Sequence, residues 1–353
     1  MEANETISPS AYALLMMKSH TSIPYAREAA ALAAAQQART TPGTAPASTD
    51  ANATALSALP SDRTRPSDLG ASPASDVDPL DYWMRVMHFE SRYWTINQLL
   101  EDLTATNILE ISSGFSFRGL DLSYKKPVFY IDTDLPNIIA GKQQFIDALT
   151  SRASAATPGP AAAPNRPGHY ELQPLNALDP IAFEAIVNKF PPGPLTIINE
   201  GLLVYLDPTE KAQLCANIRK ALLARGGRWI TADVYIKRQE DDAGLPAGPS
   251  APLWLGRPSG FRQWSNEHGL EEKKFASFSE AGTFFHSMGF EIEKEATQDY
   301  SRLTSFAKFL NAVGPEGLSE LRRRRPASAG PTSATWRLAP KGSPHLMPTA
   351  PRP

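Results

Sequence analysis

The sequence is short of cysteine and of long apolar runs. Cys215 is the one cysteine among 353 residues, so an internal disulfide is excluded and a reducing compartment, the cytoplasm, is expected. No run approaches the roughly 20 apolar residues of a membrane-spanning helix. The first ten residues also lack the basic start and apolar core of a secretion signal. The sequence therefore predicts neither a membrane span nor secretion.

The chain also lacks an excess of charge of either sign. Its 35 Lys and Arg nearly balance 37 Asp and Glu, which leaves a formal net charge of -2. Such a chain generates no overall field that would draw it to nucleic acid or to an anionic membrane. The six histidines show no metal-ligand spacing, so no metal is expected. A small molecule or another protein is the expected partner.

Proline is abundant, with 32 residues, but it is concentrated in stretches that lack an apolar period. Such stretches are typical of loops and disordered segments. We therefore expect a helical segment at 1–35 that folds back over the main domain, and a disordered linker at 36–78. The main domain follows at 79–315, with a flexible insertion at 154–168, and a disordered tail occupies 326–353.

From 79 to about 313, short apolar runs alternate with longer amphipathic ones. This pattern predicts an α/β fold, a doubly wound and mostly parallel sheet of seven strands. The expected strands are 107–112, 128–132, 170–175, 195–200, 228–235, 290–295 and 303–310. One helix is marked at both ends, because Asp207 can cap it, Pro208 suits its first turn, and Gly226 can end it.

Ligands of such sheets bind beyond the carboxyl ends of the strands, so the residues there are the candidate site. After the first strand, Gly114 lets the backbone approach a ligand closely, and Arg118 can pair with a carboxylate or make a surface ion pair. After the second strand, Asp132 or Asp134 can accept the hydroxyls of a ribose, and the other can cap the next helix.

The third and fourth strands also end in polar residues. Asn176 can read an adenine edge or form an Asx turn. A buried-looking strand delivers Glu200 directly before Gly201. A carboxylate there is costly unless it is paired, so either a cationic ligand or a structural arginine is expected beside it.

Taken together, the segments SSGFSFR, VFYIDTDLP and INEGLLVYLDPTE resemble the leucine carboxyl methyltransferase family, including its polyketide-type O-methyltransferase relatives. The similarity spans roughly 92–227, and its most specific part runs from Glu200 to Leu206. The resemblance implies a class I methyltransferase fold, which is Rossmann-like, and S-adenosylmethionine as cofactor. It implies these cofactor-binding residues: Arg92 and Arg118 near the methionine carboxylate, Ser112 and Gly114 around the methionine, Asp134 (or Asp132) at the ribose, Asn176 and Ala177 at the adenine, and Glu200 with Gly201 beside the amino group.

The chain departs from the family pattern at two of these positions. Ser112 stands where the family usually has glycine, and Asn176 stands where it usually has an acidic residue. Serine adds a side chain in a tight turn, whereas asparagine still accepts a hydrogen bond from the adenine amino group. The resemblance does not separate Asp132 from Asp134, and we rank Asp134 first.

The sequence says less about the residues that would bind or activate the methyl acceptor. An acceptor carboxylate needs no base, whereas a hydroxyl calls for one, and His88, His268 and His286 are the candidates. No catalytic residue is assigned. The insertion at 236–274 contains Trp254 and other aromatic residues, which predicts either a lid over an apolar acceptor or a packed loop. We expect a small-molecule acceptor rather than a protein tail.

Two other readings compete with an O-methyltransferase. A methyltransferase-like scaffold that lacks activity would explain Ser112 and Asn176, but Asp134, Glu200 and Gly201 are intact. A nicotinamide-dependent dehydrogenase shares the sheet but requires the glycine fingerprint G-x-G-x-x-G, which this chain lacks.

Overall fold

The computed structural model describes residues 8–40, 79–155, 166–237, 269–324 and 331–342. Several sequence predictions fall wholly or partly outside these ranges. They concern the start of the N-terminal segment (1–7), most of the linker (41–78), most of the insertion (156–165), the aromatic part of the expected lid (238–268) and both ends of the expected tail (326–330 and 343–353). The helix that precedes the linker continues to Thr40, so the first residues assigned to the linker are helical.

The core of the fold is a seven-stranded sheet in the order β3-β2-β1-β4-β5-β7-β6. The strands are β1 Asn107–Ile111, β2 Phe129–Asp134, β3 His169–Pro174, β4 Leu195–Asn199, β5 Gly227–Tyr235, β6 Phe290–Glu295 and β7 Ser333–Pro340. Strands β1 to β5 pair in parallel, and β7 lies antiparallel between β5 and β6. The strand order reverses between β1 and β4. This is the doubly wound sheet of class I methyltransferases, so the predicted fold class is confirmed.

Helices cover both faces of the sheet. They are α1 Ser8–Lys18, α2 Ala26–Thr40, α3 Pro79–Glu101, α4 Arg118–Lys125, α5 Pro136–Ala155, α6 Pro180–Val187, α7 Pro208–Arg225, α8 Phe278–Ser287 and α9 Thr304–Arg324. Successive residues of β4 pack on opposite faces: Ile197 joins a buried cluster with Leu214 of α7, and Ile198 joins one with Ile96 of α3. No helix in these ranges has the length and apolar character of a membrane span.

Helix α7 shows how local sequence defines an element. The Asp207 side chain accepts a hydrogen bond from the backbone N–H of Glu210 at 2.8 Å, and the Glu210 side chain accepts one from the backbone N–H of Asp207 at 2.9 Å. This reciprocal cap satisfies two donors that the first turn leaves without helical partners. At the other end, Gly226 adopts φ 72°. The next residue, Gly227, lies so close to β4 that a Cβ there would be 1.9 Å from the Leu195 carbonyl oxygen.

The structure corrects two predictions at the C-terminal end. Residues 303–310 were expected to form a strand, but Thr304–Arg324 is helix α9, interrupted at Gly314. The reason is the spacing of Leu303, Phe306 and Phe309, which fall on one helical face and pack against α3.

The second correction concerns the expected disordered tail, because Ser333–Pro340 within it forms strand β7. Alternate residues Ala334, Trp336 and Leu338 are buried between neighbouring strands and helices, as in any half-buried strand. The Trp336 indole also donates a hydrogen bond to Glu295 of β6 at 2.9 Å. The seventh strand of the sheet is therefore this one.

Helices α1 and α2 pack onto the sheet domain. Leu15 of α1 and Ala29 of α2 share a buried cluster with Phe115, which follows β1, and with Phe145 of α5. The last residue of α1, Lys18, is buried as well. The N-terminal segment thereby joins the same hydrophobic core as the strand ends.

Leu338→Ala tests whether β7 is part of the folded core. Leu338 is fully buried, so the substitution is expected to lower the free energy of unfolding by about 2–5 kcal/mol. Leu223→Ala makes the same chemical change at a residue that is 46% exposed, with an expected effect of about 0.5 kcal/mol. Denaturant unfolding measures both, and equal small effects would contradict the assignment of β7.

Candidate functional site

The carboxyl ends of β3, β2, β1, β4 and β5 line one cavity of about 810 Å³. Helices α1 and α3 also line it, through residues that include Leu15, Lys18 and His88. At about 4.8 Å per strand, the row of five strand ends extends over about 19 Å. The cavity is therefore long enough for an elongated ligand.

Eight of the ten predicted binding residues line this cavity, which are Arg92, Ser112, Gly114, Asp134, Asn176, Ala177, Glu200 and Gly201. They come from five separate chain segments. Their convergence follows from the parallel strands, whose carboxyl ends meet at one edge of the sheet. Arg118 and Asp132 do not line the cavity.

The turn after β1 combines two left-handed residues, Ser112 with φ 53° and Gly114 with φ 48°. The N–H of Gly114 donates a hydrogen bond to Asp134 Oδ2 at 2.7 Å, and the N–H of Leu135 donates to Oδ1 at 2.7 Å. A Cβ at Gly114 would meet no protein atom within 4 Å, so the space above the turn belongs to the cavity. Burial raises the pKa of Asp134 in spite of these two hydrogen bonds.

Asp132 does not line the cavity, and its side chain pairs with other protein groups instead. Its carboxylate pairs with the buried Lys142 ammonium at 2.7 Å and accepts a hydrogen bond from the Tyr170 hydroxyl at 2.5 Å. Lys142 in turn donates to the Ser113 hydroxyl at 2.9 Å. The two aspartates are thus separated by depth, because Asp134 ends the strand at the cavity and Asp132 lies below it.

Glu200 is the most highly paired group of the site. Its Oε1 lies 2.7 Å from Lys18 Nζ and 3.1 Å from Arg92 Nη2, and its Oε2 lies 3.2 Å from Arg118 Nη2. Burial alone would raise the pKa of Glu200, but the three cations outweigh it and hold the pKa well below its usual range. Glu200 is therefore a carboxylate with three cationic partners, which come from α1, α3 and α4.

Arg118 is expected beside the ligand, but the structure places it outside the cavity lining. Its side chain is fully buried over the Tyr93 ring, 4.0 Å from the ring centre. It donates to the Tyr93 carbonyl at 3.1 Å, to the Asn97 side chain and to Glu200. Arg118 therefore orients Glu200 from behind and does not contact the cavity. The sequence predicts an arginine at this point of the fold, but it does not predict that the side chain is buried behind Glu200.

Two residues that sequence reasoning missed complete the support of Glu200. Lys18 was expected only as part of a folded-back helix, yet its ammonium reaches the cavity and pairs with Glu200. Asp233 accepts hydrogen bonds from the backbone N–H groups of Gly201, Leu202 and Leu203 at 2.5–3.1 Å. Asp233 therefore fixes the loop after β4. An aspartate inside the fully buried strand β5 was the available signal.

Asn176 forms the Asx turn that is one of its two predicted roles, and its contact with an adenine stays a prediction. Its Oδ1 accepts a hydrogen bond from the Leu178 N–H at 3.1 Å, which is an Asx turn, and the residue also lines the cavity. The side-chain amide and a second lone pair of Oδ1 are left for a ligand. Among the histidines named from sequence, His88 lines the cavity, His286 does not, and His268 lies outside the described residues. The described part of the chain holds no cluster of metal-ligating residues.

No protein-family model matches the chain, and no curated protein matches it by sequence. Solved structures that it resembles include the mitomycin 7-O-methyltransferase MmcR (13% identity, 74% of this chain and 57% of that one, TM-score 0.37). A second is the magnesium protoporphyrin IX methyltransferase ChlM of Synechocystis PCC 6803 (9% identity, 83% of this chain and 97% of that one, TM-score 0.38). A third is LepI (11% identity, 76% of this chain and 60% of that one, TM-score 0.38). The chain thus spans less than two thirds of the length of MmcR and of LepI. Because these similarities are low, the function has to be argued from the residues and geometry of the site.

Ser112→Gly tests the strain of the turn after β1. A left-handed backbone costs a non-glycine residue about 1–2 kcal/mol, and glycine costs about 0.5–1 kcal/mol in chain entropy. The free energy of unfolding is therefore expected to stay the same or rise by up to about 1.5 kcal/mol. Ser113→Gly is the matched control, since Ser113 accepts the Lys142 hydrogen bond. It is expected to lose about 2 kcal/mol, and an equal loss in both variants would refute the strain at Ser112.

Proposed function

We propose that the protein is an S-adenosylmethionine-dependent methyltransferase that methylates an oxygen atom of a small molecule. The observation that carries this proposal is one cavity in which Asn176, Asp134 and Glu200 lie at the ends of β3, β2 and β4, with the turn after β1 between Asp134 and Glu200. Each has the chemistry of one part of the cofactor. The sequence resemblance to the leucine carboxyl methyltransferase family supports the same reading.

The residues at the β2 and β3 ends fit an adenosine group. Asp134 accepts only two backbone hydrogen bonds, so its carboxylate retains lone pairs for the two hydroxyls of a ribose. Asn176 and Ala177 line the next part of the cavity and offer an amide and backbone groups to a base. The open space above Gly114 lies between these residues and Glu200.

The residues around Glu200 fit the amino-acid end of the cofactor, which carries one ammonium and one carboxylate. Lys18, Arg92 and Arg118 place three positive charges around one carboxylate. A ligand ammonium has Glu200 as its partner, and a ligand carboxylate has Lys18 and Arg92, which line the cavity. A zwitterion adds no net charge to this cluster, so both of its groups gain partners without a new unpaired charge.

The bound cofactor would supply an electrophilic methyl group on a sulfonium. The work of the protein is then to hold two reactants in line, since alignment alone is worth on the order of 7–11 kcal/mol in well-oriented reactions. Asp134, Glu200 and Arg92 hold the donor, and the cavity beyond β4 is left for the acceptor. A small-molecule acceptor and a cytoplasmic location stay predictions from sequence.

The first experiment is calorimetric titration of the purified protein with S-adenosylmethionine and, separately, with S-adenosylhomocysteine. Binding of both at micromolar strength is expected. Absence of heat with either ligand would favour the alternative reading, a methyltransferase-like scaffold without a cofactor.

Asp134→Asn separates the two aspartates of β2. Loss of a charged hydrogen-bond acceptor costs about 1.5–3 kcal/mol, so the affinity for S-adenosylhomocysteine is expected to fall about 10- to 100-fold. Asp132→Asn instead leaves the buried Lys142 without its counter-ion, and it is expected to lower the free energy of unfolding by about 3–5 kcal/mol. Calorimetry and denaturant unfolding measure the two effects. Exchanged outcomes would reverse the assignment.

Lys18→Met tests the amino-acid end of the site. Methionine retains most of the lysine volume but removes the charge, so affinity for S-adenosylhomocysteine is expected to fall about tenfold, the loss of one charged contact. Methylthioadenosine, which lacks the amino-acid group, serves as the control ligand and should bind the variant as it binds the wild type. An equal loss for both ligands would mean that Lys18 acts on the fold of α1 only.

A further inference from the structure

Tyr235, the last residue of β5, lies at the cavity one strand beyond Glu200. It is only 8% exposed, and its hydroxyl has two polar neighbours on α3. Arg92 Nη1 donates a hydrogen bond to the phenol oxygen at 2.9 Å, and His88 Nε2 lies 3.0 Å from it. The other terminal nitrogen of Arg92 holds Glu200. Tyr235 is therefore fixed to the same arginine that supports the proposed cofactor site, on its far side from Asp134.

The direction of these hydrogen bonds follows from the donors. An arginine has no acceptor, so the phenol oxygen of Tyr235 must accept from Arg92. If His88 carries its proton on Nε2, the phenol oxygen accepts a second hydrogen bond, and its own O–H is available to the cavity. Two donated hydrogen bonds polarise that O–H and make it a stronger donor.

The charges around the pair favour an anion in front of Tyr235. Groups that act on His88 and Tyr235 are Arg92 of α3, Lys274 in the cavity wall, Glu200 after β4 and Asp233 of β5. Glu200 is neutralised by its three cations, and Asp233 is held by four hydrogen bonds to Asn199 and the loop after β4. Arg92, which Glu200 shares with two other cations, and Lys274, which also pairs with Glu271, are positive charges that act on the pair.

His88 is a poor candidate for a base. Burial, with the charges of Arg92 and Lys274, lowers the pKa of His88 to about 3, so the ring is neutral, with one N–H, and does not hold a second proton at neutral pH. Burial also raises the pKa of Tyr235 to about 12 against the opposing effect of Arg92. The phenol therefore keeps its proton and remains a donor at neutral pH.

The contacts also distinguish between kinds of anion. A carboxylate is commonly bound by two parallel hydrogen bonds from one guanidinium. Each terminal nitrogen of Arg92 already donates one hydrogen bond, to Tyr235 and to Glu200, and the cofactor carboxylate is the proposed partner of the remaining N–H groups. Among the described residues, the cavity lining offers the Tyr235 hydroxyl and apolar residues such as Phe89, Val204 and Leu270, beside a lysine, Lys274, that already pairs with Glu271. This suits one oxygen on an apolar or aromatic group.

We propose that the hydroxyl of Tyr235 binds the methyl acceptor as an ionised phenol or enol, with His88 as the positioning residue that orients it. The inference rests on the proposed function, because it takes the cavity beyond Glu200 as the acceptor site. The acceptor gives its proton to solvent when it binds. In the transfer, its oxygen forms the bond to the methyl carbon as the carbon–sulfur bond breaks and its electron pair stays on sulfur.

The test uses 4-nitrophenol, whose absorbance reports its ionisation. The probe is titrated with the wild-type protein saturated with S-adenosylhomocysteine, at the pH where half of the free probe is ionised. Bound probe is expected to be ionised to a clearly greater extent than free probe. Tyr235→Phe is expected to weaken binding at least tenfold and to abolish the extra ionisation.

Two further variants separate positioning from folding. His88→Gln keeps a donor near the phenol oxygen and is expected to bind the ionised probe within about threefold of the wild type, whereas His88→Leu loses most of the extra ionisation. Tyr82→Phe is the matched control, since Tyr82 also has a pKa raised to about 12 by burial but does not line the cavity. It is expected to behave as the wild type.

Binding of the neutral probe, no binding of the probe, or an unchanged Tyr235→Phe variant would each overturn the proposal. The affinity of every variant for S-adenosylhomocysteine is measured in parallel. If the wild type fails to bind that ligand, the proposed function fails with it. If the ligand binds and the probe is not ionised, only the role of Tyr235 is wrong.

Discussion

The structure of the site depends on the ionisation of one buried carboxylate, Glu200. A charge at the end of a buried strand is unfavourable by several kcal/mol unless it is paired. Here the pairing comes from Lys18, Arg92 and Arg118, which belong to three different helices, α1, α3 and α4. The N-terminal helix is consequently part of the site as well as part of the core, because Lys18 is its last residue. The same charge that a ligand would use also joins α1 to the sheet.

The residues that do not contact the cavity are as necessary to this arrangement as those that do. Asp233 holds the loop that carries Glu200, and Arg118 pairs with Glu200 from the protein side. Asp132 and Lys142 play the same part beneath the turn after β1. A buried ion pair is weak support for stability but a strong constraint on geometry once both partners are present. The cavity is therefore lined by side chains whose orientations are fixed before a ligand binds.

The sequence alone was sufficient to predict the helices and strands whose signals lie in neighbouring residues. The cap of α7 and the strands β1 to β6 follow from adjacent residues, and the strand ends converge because parallel strands share one edge. The sequence does not show how deeply each side chain of the site is buried. Asp132 and Asp134 point to the same face of β2, and only the packing of Lys142 shows which one is covered. Strand β7 was missed because its alternation is short and stands among prolines, whereas residues 303–310 were misread because a helical face contains a similar share of apolar residues.

The distribution of charge along the cavity gives the proposed reaction a direction. Asp134 lies at one end, and Arg92 and Lys274 lie toward the other, with Glu200 neutralised between them. A cationic methyl donor and an anionic acceptor oxygen attract each other strongly in a buried site, where the effective dielectric constant is far below that of water. Transfer of the methyl group consumes both charges, so the products no longer hold each other in the cavity. The hydrogen bond proposed for Tyr235 would weaken at the same moment, because an ether oxygen is a poorer acceptor than an oxyanion. On this argument, the features that bind the two reactants together also favour the separation of the products.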